Sequence, residues 1–158
     1  MREHGCHFPL SAENYASEVR KIVGKQGVDL VLDPVGAKSW TDGYELLGPC
    51  GRLVAFGMSS AASGKRRNLL HAGAQLLRVK KISPLKLMED NKTVTGTNMG
   101  HLFDRIDLLR PQFETLISLF EQRKIKPFVD RSFPFAEAAA AHHYIHDRKA
   151  KGKVLLVP

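Results

Sequence analysis

The stretch Gly27–Met58, GVDLVLDPVGAKSWTDGYELLGPCGRLVAFGM, constrains the fold more than any other part of the chain. Val28–Leu32 is a predominantly apolar run, too short for an isolated helix and partly β-branched. Bounded by turn signals, it predicts a strand buried on both faces, as in a parallel sheet. Asp33–Pro34–Val35–Gly36 ends it, because Pro34 has no amide donor and Gly36 can adopt a left-handed turn. A helix over about 38–47 follows, with Trp40, Tyr44 and Leu47 spaced to share a face. Gly48, Pro49 and Gly51 stop it, and Leu53–Phe56 predicts a second strand closed by Gly57. Strand, crossover helix and strand make a βαβ unit, whose strands must run parallel. In such sheets ligands bind beyond the carboxyl ends of the strands, here at Asp33–Gly36 and Phe56–Ser59.

The flanking sequence extends this α/β pattern. His7–Leu10 predicts a short strand, restricted by Pro9 to an edge. Ser11 to about Lys25 predicts a helix with Tyr15, Val19, Ile22 and Val23 as its apolar stripe. Asn68–Lys80 is helical by pattern, Ser83–Pro84 interrupts it, and Leu85–Asn91 adds a further turn. Thr93–Met99 predicts a third strand of the same sheet. Asp107–Lys124 has the strongest helical pattern in the chain, on condition that Pro111 sits in its first turn. A strand over Phe128–Phe133, an alanine-rich helix over Phe135–Lys149 and a strand over Gly152–Val157 complete the order.

Composition excludes several functions. In 158 residues no apolar run approaches the length of a membrane span. The N-terminus lacks the apolar core of a signal peptide, and the chain is expected to be cytoplasmic. The two cysteines, Cys6 and Cys50, are expected to be reduced thiols. A net charge of +8 raises the question of nucleic acid. Yet the clusters Lys65–Arg66–Arg67 and Arg78, Lys80 and Lys81 lack interleaved aromatics and match no nucleic-acid module. They are expected to form a solvated basic face or to meet a phosphate-bearing cofactor. His142, His143 and His146 could place two imidazoles a helical turn apart, but no glutamate follows the first histidine as in H-E-x-x-H, and no third ligand is indicated. A surface pair is expected there, and no metal. His71 and His101 are expected on loop or helix surfaces, and Ser59–Ser60 lacks a partner base, so no catalytic residue is assigned.

Several motifs occur in a fixed order: a strand ending DPVG, then GRLVAFG, KIKP, SFPF leading into an alanine helix, and a closing GKVLLVP. This order resembles the medium-chain dehydrogenase/reductase superfamily, in its zinc-independent quinone-oxidoreductase-like branch, and within it the vesicle amine transport protein-like reductases. The resemblance covers nearly the whole chain but only the C-terminal half of the family's usual length. It implies a partial Rossmann-type parallel sheet, made of strands three to six, with flanking helices. Residues 1–124 would be a dinucleotide-binding domain lacking its first βαβ unit. Residues 125–158 would be the C-terminal return segment of a GroES-like catalytic domain.

It also implies a cofactor, NADP(H), and hydride transfer to a quinone or an α,β-unsaturated carbonyl in the full-length relative. By the same resemblance Asp33, Pro34, Val35 and Gly36 lie beside the adenine. Phe56, Gly57 and Met58 approach the middle of the cofactor, and Thr97, Asn98 and Met99 lie over the nicotinamide. Arg148 falls where some relatives place a basic contact to cofactor phosphate. The chain departs from the family in having no G-x-G-x-x-G, and so lacks the usual pyrophosphate cradle. The isolated chain is therefore expected to be inactive and to hold cofactor poorly. The alternative is a non-catalytic cofactor-binding or dimerisation module. Losing strands one and two would detach strand three and bare the edge of strand four. The chain is thus expected to be a fragment, or to have its sheet completed by another chain. The resemblance further implies a homodimer paired through strand 93–99, which carries no charge.

Overall fold

A computed structural model describes residues 5–59, 81–147 and 149–158. They form two compact units, one of residues 5–59 and 81–98, the other of residues 99–147 and 149–158. The helix expected over 68–80 lies outside the described residues.

The first unit contains α1 (Tyr15–Val23), β1 (Val28–Asp33), α2 (Lys38–Leu46), β2 (Leu47–Ala55), α3 (Pro84–Asp90) and β3 (Thr93–Gly96). The strands form a parallel sheet in the order β1-β2-β3, as the βαβ pattern requires. Leu53, 1% exposed, is the centre of the core, packed with Tyr44 and Leu47. Val31, Trp40, Ile82, Leu87 and Val94 close around them. Tyr44 and Trp40 face the core as the spacing predicts, whereas Leu47 reaches it from the first residue of β2. β2 begins there, ahead of the expected Leu53, because Gly48–Gly51 is absorbed as an irregularity opposite Val28–Leu30. A Cβ on Gly48 would lie 2.1 Å from the Gln26 carbonyl oxygen, so only glycine fits. Ser83 caps the further helical turn expected over Leu85–Asn91, which runs from Pro84 to Asp90. Its Oγ accepts from the Lys86 amide at 3.2 Å, and Pro84 opens α3 where a missing donor costs nothing.

Three expectations fail here. The strand expected over Thr93–Met99 ends at Gly96, and Met99 opens a 3-10 turn. His7–Leu10 forms no strand, because a strand exists only through a paired neighbour and Pro9 removes a donor. β1 is also not buried on both faces: Leu30 and Leu32 are exposed. α2 covers only the other face, and β1 pairs on one side alone among the described residues. The Phe56 amide donates to the Asp33 carbonyl at 3.0 Å, so Asp33 and Val31 turn their backbone groups toward β2. Leu30 and Leu32 turn theirs to the open edge.

The second unit contains α4 (Ile106–Glu121), β4 (Val129–Pro134), α5 (Ala138–His146) and β5 (Lys153–Val157), with β4 and β5 paired in parallel. Pro111 is the sixth residue of α4, beyond the first turn in which it was expected. It denies the Asp107 carbonyl an amide partner, and the helix tolerates this because both residues are exposed to water. Phe135–Glu137 is a 3-10 turn that leads into α5, shorter than the helix expected over 135–149. Among the described residues no helix is long and apolar enough to cross a membrane.

Candidate functional site

The loops at the carboxyl end of the three-stranded sheet are fastened into one rim. At its base is Asp33, the last residue of β1 and only 4% exposed. One carboxylate oxygen, Oδ1, accepts from the Val35 amide at 2.6 Å and the Gly36 amide at 2.9 Å. The other, Oδ2, accepts from the Ser39 hydroxyl. This is an Asx-type turn, in which a short acidic side chain stands in for a backbone acceptor. The Asp33 side chain therefore points into the fold and supports the loop, while Val35 is carried outward, 43% exposed.

The second loop is laced onto the first. The Ser59 amide donates to the Pro34 carbonyl at 3.1 Å, next to the Phe56–Asp33 bond. Gly36 has φ of +86°, and a Cβ there would lie 2.7 Å from Met58 Cγ. A Cβ on Gly57 would lie 2.8 Å from the Pro34 carbonyl oxygen. Packing between the loops thus accounts for glycine at both positions. The third loop joins through the Thr97 amide, which donates to the Ala55 carbonyl at 2.9 Å. Asn98 follows it in the same unit, whereas Met99 opens a 3-10 turn in the second unit. Asp33, Pro34, Val35, Gly36, Phe56, Gly57, Met58 and Thr97 therefore share one end of one sheet. Arg148 lies outside the described residues, as do Lys65, Arg66, Arg67, His71, Arg78 and Lys80.

Beside the rim a cleft of about 670 Å³ runs between the start of α1 and the end of β1. Asn14, Tyr15, Val35, Lys38 and Ser39 line it. The Tyr15 hydroxyl lies 3.3 Å from Ser39 Oγ, and burial holds its pKa above the ordinary phenol value. Lys38 is ion-paired to Asp42 one turn along α2. Sequence reasoning missed Tyr15 and Ser39 as parts of the site. The sequence pattern places Tyr15 only on the apolar stripe of α1, and Ser39 carries no signal beyond its place near the start of α2.

A second polar cluster is remote from the rim. The buried Tyr44 hydroxyl donates to Asp90 Oδ2 at 2.8 Å, and Lys86 donates to Asp90 Oδ1 at 2.8 Å. Burial first, and then the bond to Asp90, push the Tyr44 phenol up to about 12. Lys92 stacks 4.8 Å from the centre of the Tyr44 ring. His142, His143 and His146 are exposed on α5, with the first and last rings 6.3 Å apart. Among the described residues no three histidine, cysteine, aspartate or glutamate side chains gather as a metal site would require. Cys6 and Cys50 are free and exposed.

In open parallel α/β sheets ligands bind beyond the carboxyl ends of the strands, where this rim lies. Comparison with known proteins gives the family. The sequence model of the zinc-binding dehydrogenases matches residues 7–156, and the chain belongs to the medium-chain dehydrogenase/reductase superfamily, among its quinone-oxidoreductase-like members. It is 34% identical over 160 residues to the human synaptic vesicle membrane protein VAT-1 homolog, covering 100% of this chain and 40% of that protein. It is 26% identical to a 2-haloacrylate reductase of a Burkholderia species, covering 99% of this chain and 44% of the reductase. A mycobacterial protein solved in complex with NADPH superposes with a TM-score of 0.70 at 25% identity, covering 99% of this chain and 45% of its own. The chain thus spans less than half the length of these relatives.

Proposed function

We propose that this chain is the C-terminal portion of an NAD(P)H-dependent oxidoreductase that reduces a quinone or an enone. In this reading residues 1–124 are part of the dinucleotide-binding domain, and 125–158 return to the catalytic domain. The observation that carries it is the laced rim, supported by the likeness to a protein that carries NADPH. NADP(H), when bound, supplies the hydride. Val35 and Pro34 would flank the adenine end, Phe56 to Met58 the middle, and Thr97 to Met99 the nicotinamide. The exposed Val35 offers an apolar surface, and Gly36 and Gly57 let the two loops pack together beneath it. The phosphates would need donors from elsewhere, because this sequence has no glycine-rich cradle. The described residues do not fit a zinc ion, and no step is assigned to one.

The same reading includes a homodimer paired through β3. The Thr97–Ala55 bond sets the parity of that strand, so Thr93 and Thr95 point their backbone groups at β2. Val94 and Gly96 then point theirs to the open edge. A cytoplasmic location is part of the proposal too. The test of function is a steady-state assay of the isolated chain with NADPH and a quinone. No turnover above the uncatalysed background is expected. Turnover that survives repurification and disappears with Gly57→Trp would overturn the proposal of an inactive portion.

A further inference from the structure

Asp33 raises a question that its place in the sheet does not answer. A carboxylate 4% exposed is costly to bury without a partner. Among the described residues no lysine, arginine or histidine lies within ion-pair distance of it. Its compensation is three neutral donors: the Val35 and Gly36 amides on Oδ1 and the Ser39 hydroxyl on Oδ2. An ionised carboxylate only accepts, so the Ser39 proton is committed to it. Ser39 Oγ is then left with lone pairs, and the hydroxyl that faces them belongs to Tyr15, at 3.3 Å. The direction of the chain is thereby fixed: Tyr15 donates to Ser39, Ser39 to Asp33, and the far oxygen of Asp33 holds the two amides of the rim. The relay connects three elements that contribute separately to the fold, namely α1, α2 and the end of β1.

We infer that Tyr15 and Ser39 are positioning residues for the rim, holding the Asp33 carboxylate so that Val35 and Gly36 are presented in one conformation. They act through Asp33. Ser39 keeps Asp33 from rotating away from the two amides, and Tyr15 keeps Ser39 oriented. The inference rests on the reading above only in supposing that the ordered rim serves a dinucleotide.

Two readouts on the intact chain separate the relay from that reading. Amide hydrogen exchange by NMR is measured for wild type, Tyr15→Phe, Ser39→Ala and Ser39→Thr. Ser39→Ala is expected to speed exchange at Val35 and Gly36 by about tenfold, the size of one lost hydrogen bond to a charged acceptor, while Leu53 and Val54 keep their protection. Tyr15→Phe is expected to act in the same direction and more weakly, and Ser39→Thr, which keeps the hydroxyl, to restore the wild-type rates. Unchanged exchange at Val35 and Gly36 in Ser39→Ala, or an equal rise throughout the sheet, would overturn the relay. The second readout is the shift of Val35 and Gly36 resonances on titration with NADPH, expected to be weakened several-fold by Ser39→Ala. Absence of any shift in the wild type would count against the cofactor reading alone, since the exchange result decides the relay without ligand.

Discussion

The two units are built from equally clear sequence patterns and differ in what they bury. In the first, α2 and the sheet enclose Leu53, Tyr44 and Leu47, and even the charged Asp33 is drawn inside. In the second, α4 is the longest helix described, yet only Leu109 of its residues is buried. Leu108, Phe113, Leu116, Ile117 and Phe120 are exposed along it. An apolar stripe at helical spacing specifies that a helix will form against something. It does not specify the partner, and α4 shows an element whose helical pattern is plain in sequence and that contributes little burial. The first unit teaches the converse, since Asp33 and Ser39 carry no periodic signal and Tyr15 only that of the α1 stripe, yet the three are joined by hydrogen bonds at the carboxyl end of β1.

The largest expected effect that sharpens this contrast is at Leu53. Leu53→Ala is expected to cost about 2–5 kcal/mol in denaturant unfolding, because it opens a cavity in a core that cannot collapse around it. A cost below about 1 kcal/mol would mean that the first unit is no better packed than the second. Next is the rim. Gly36→Ala forces a Cβ into a left-handed backbone and against Met58. A loss of about 1–2 kcal/mol is expected from the same measurement.

A third expectation uses alkaline pH. The folded state favours the neutral phenol of Tyr44, whose pKa is pushed up to about 12 from an ordinary 10. Its stabilisation is therefore complete below pH 10 and lost as pH rises toward about 12. Thermal unfolding of wild type is expected to fall across that window, and Tyr44→Phe to lack that share of the fall.

The proposed dimer is tested by two prolines on β3. Gly96→Pro removes an outward donor and is expected to give a monomer by light scattering with the fold retained. Thr95→Pro breaks the ladder to β2 instead and is expected to destabilise the first unit. An unchanged dimer with Gly96→Pro would place the contact elsewhere. The smallest effect is expected on α4, where Phe113→Ala is expected to change stability by no more than about 0.5 kcal/mol.

The βαβ unit followed from Val28–Leu32, the glycines of 48–51 and Leu53–Phe56, because strand, helix and crossover hand are local or nearly so. The strand expected at His7–Leu10 failed because pairing is not a local property. The exposed Leu30 and Leu32 were unreadable for the same reason, since the same apolar run serves a covered or an open edge. At the site, Asp33–Gly36 was legible as a turn through Pro34 and Gly36. That Asp33 points inward was not, because its support comes from Ser39 and, 24 residues before that, from Tyr15. Pro111 stands inside α4 although an interior proline loses a hydrogen bond and crowds the preceding turn, and the helical pattern alone does not place it.

The central claim is that the laced rim is the part of this chain that meets the dinucleotide. Two-dimensional NMR of the isolated chain with NADPH at millimolar concentration tests it most directly, since that concentration reveals weak binding. The account predicts that shifts concentrate at Val35, Gly36, Phe56, Gly57, Met58 and Thr97, and that Leu109 and the other residues of α4 stay in place. Shifts centred on α4 or on the Tyr44–Asp90 cluster, or none at all, would contradict it.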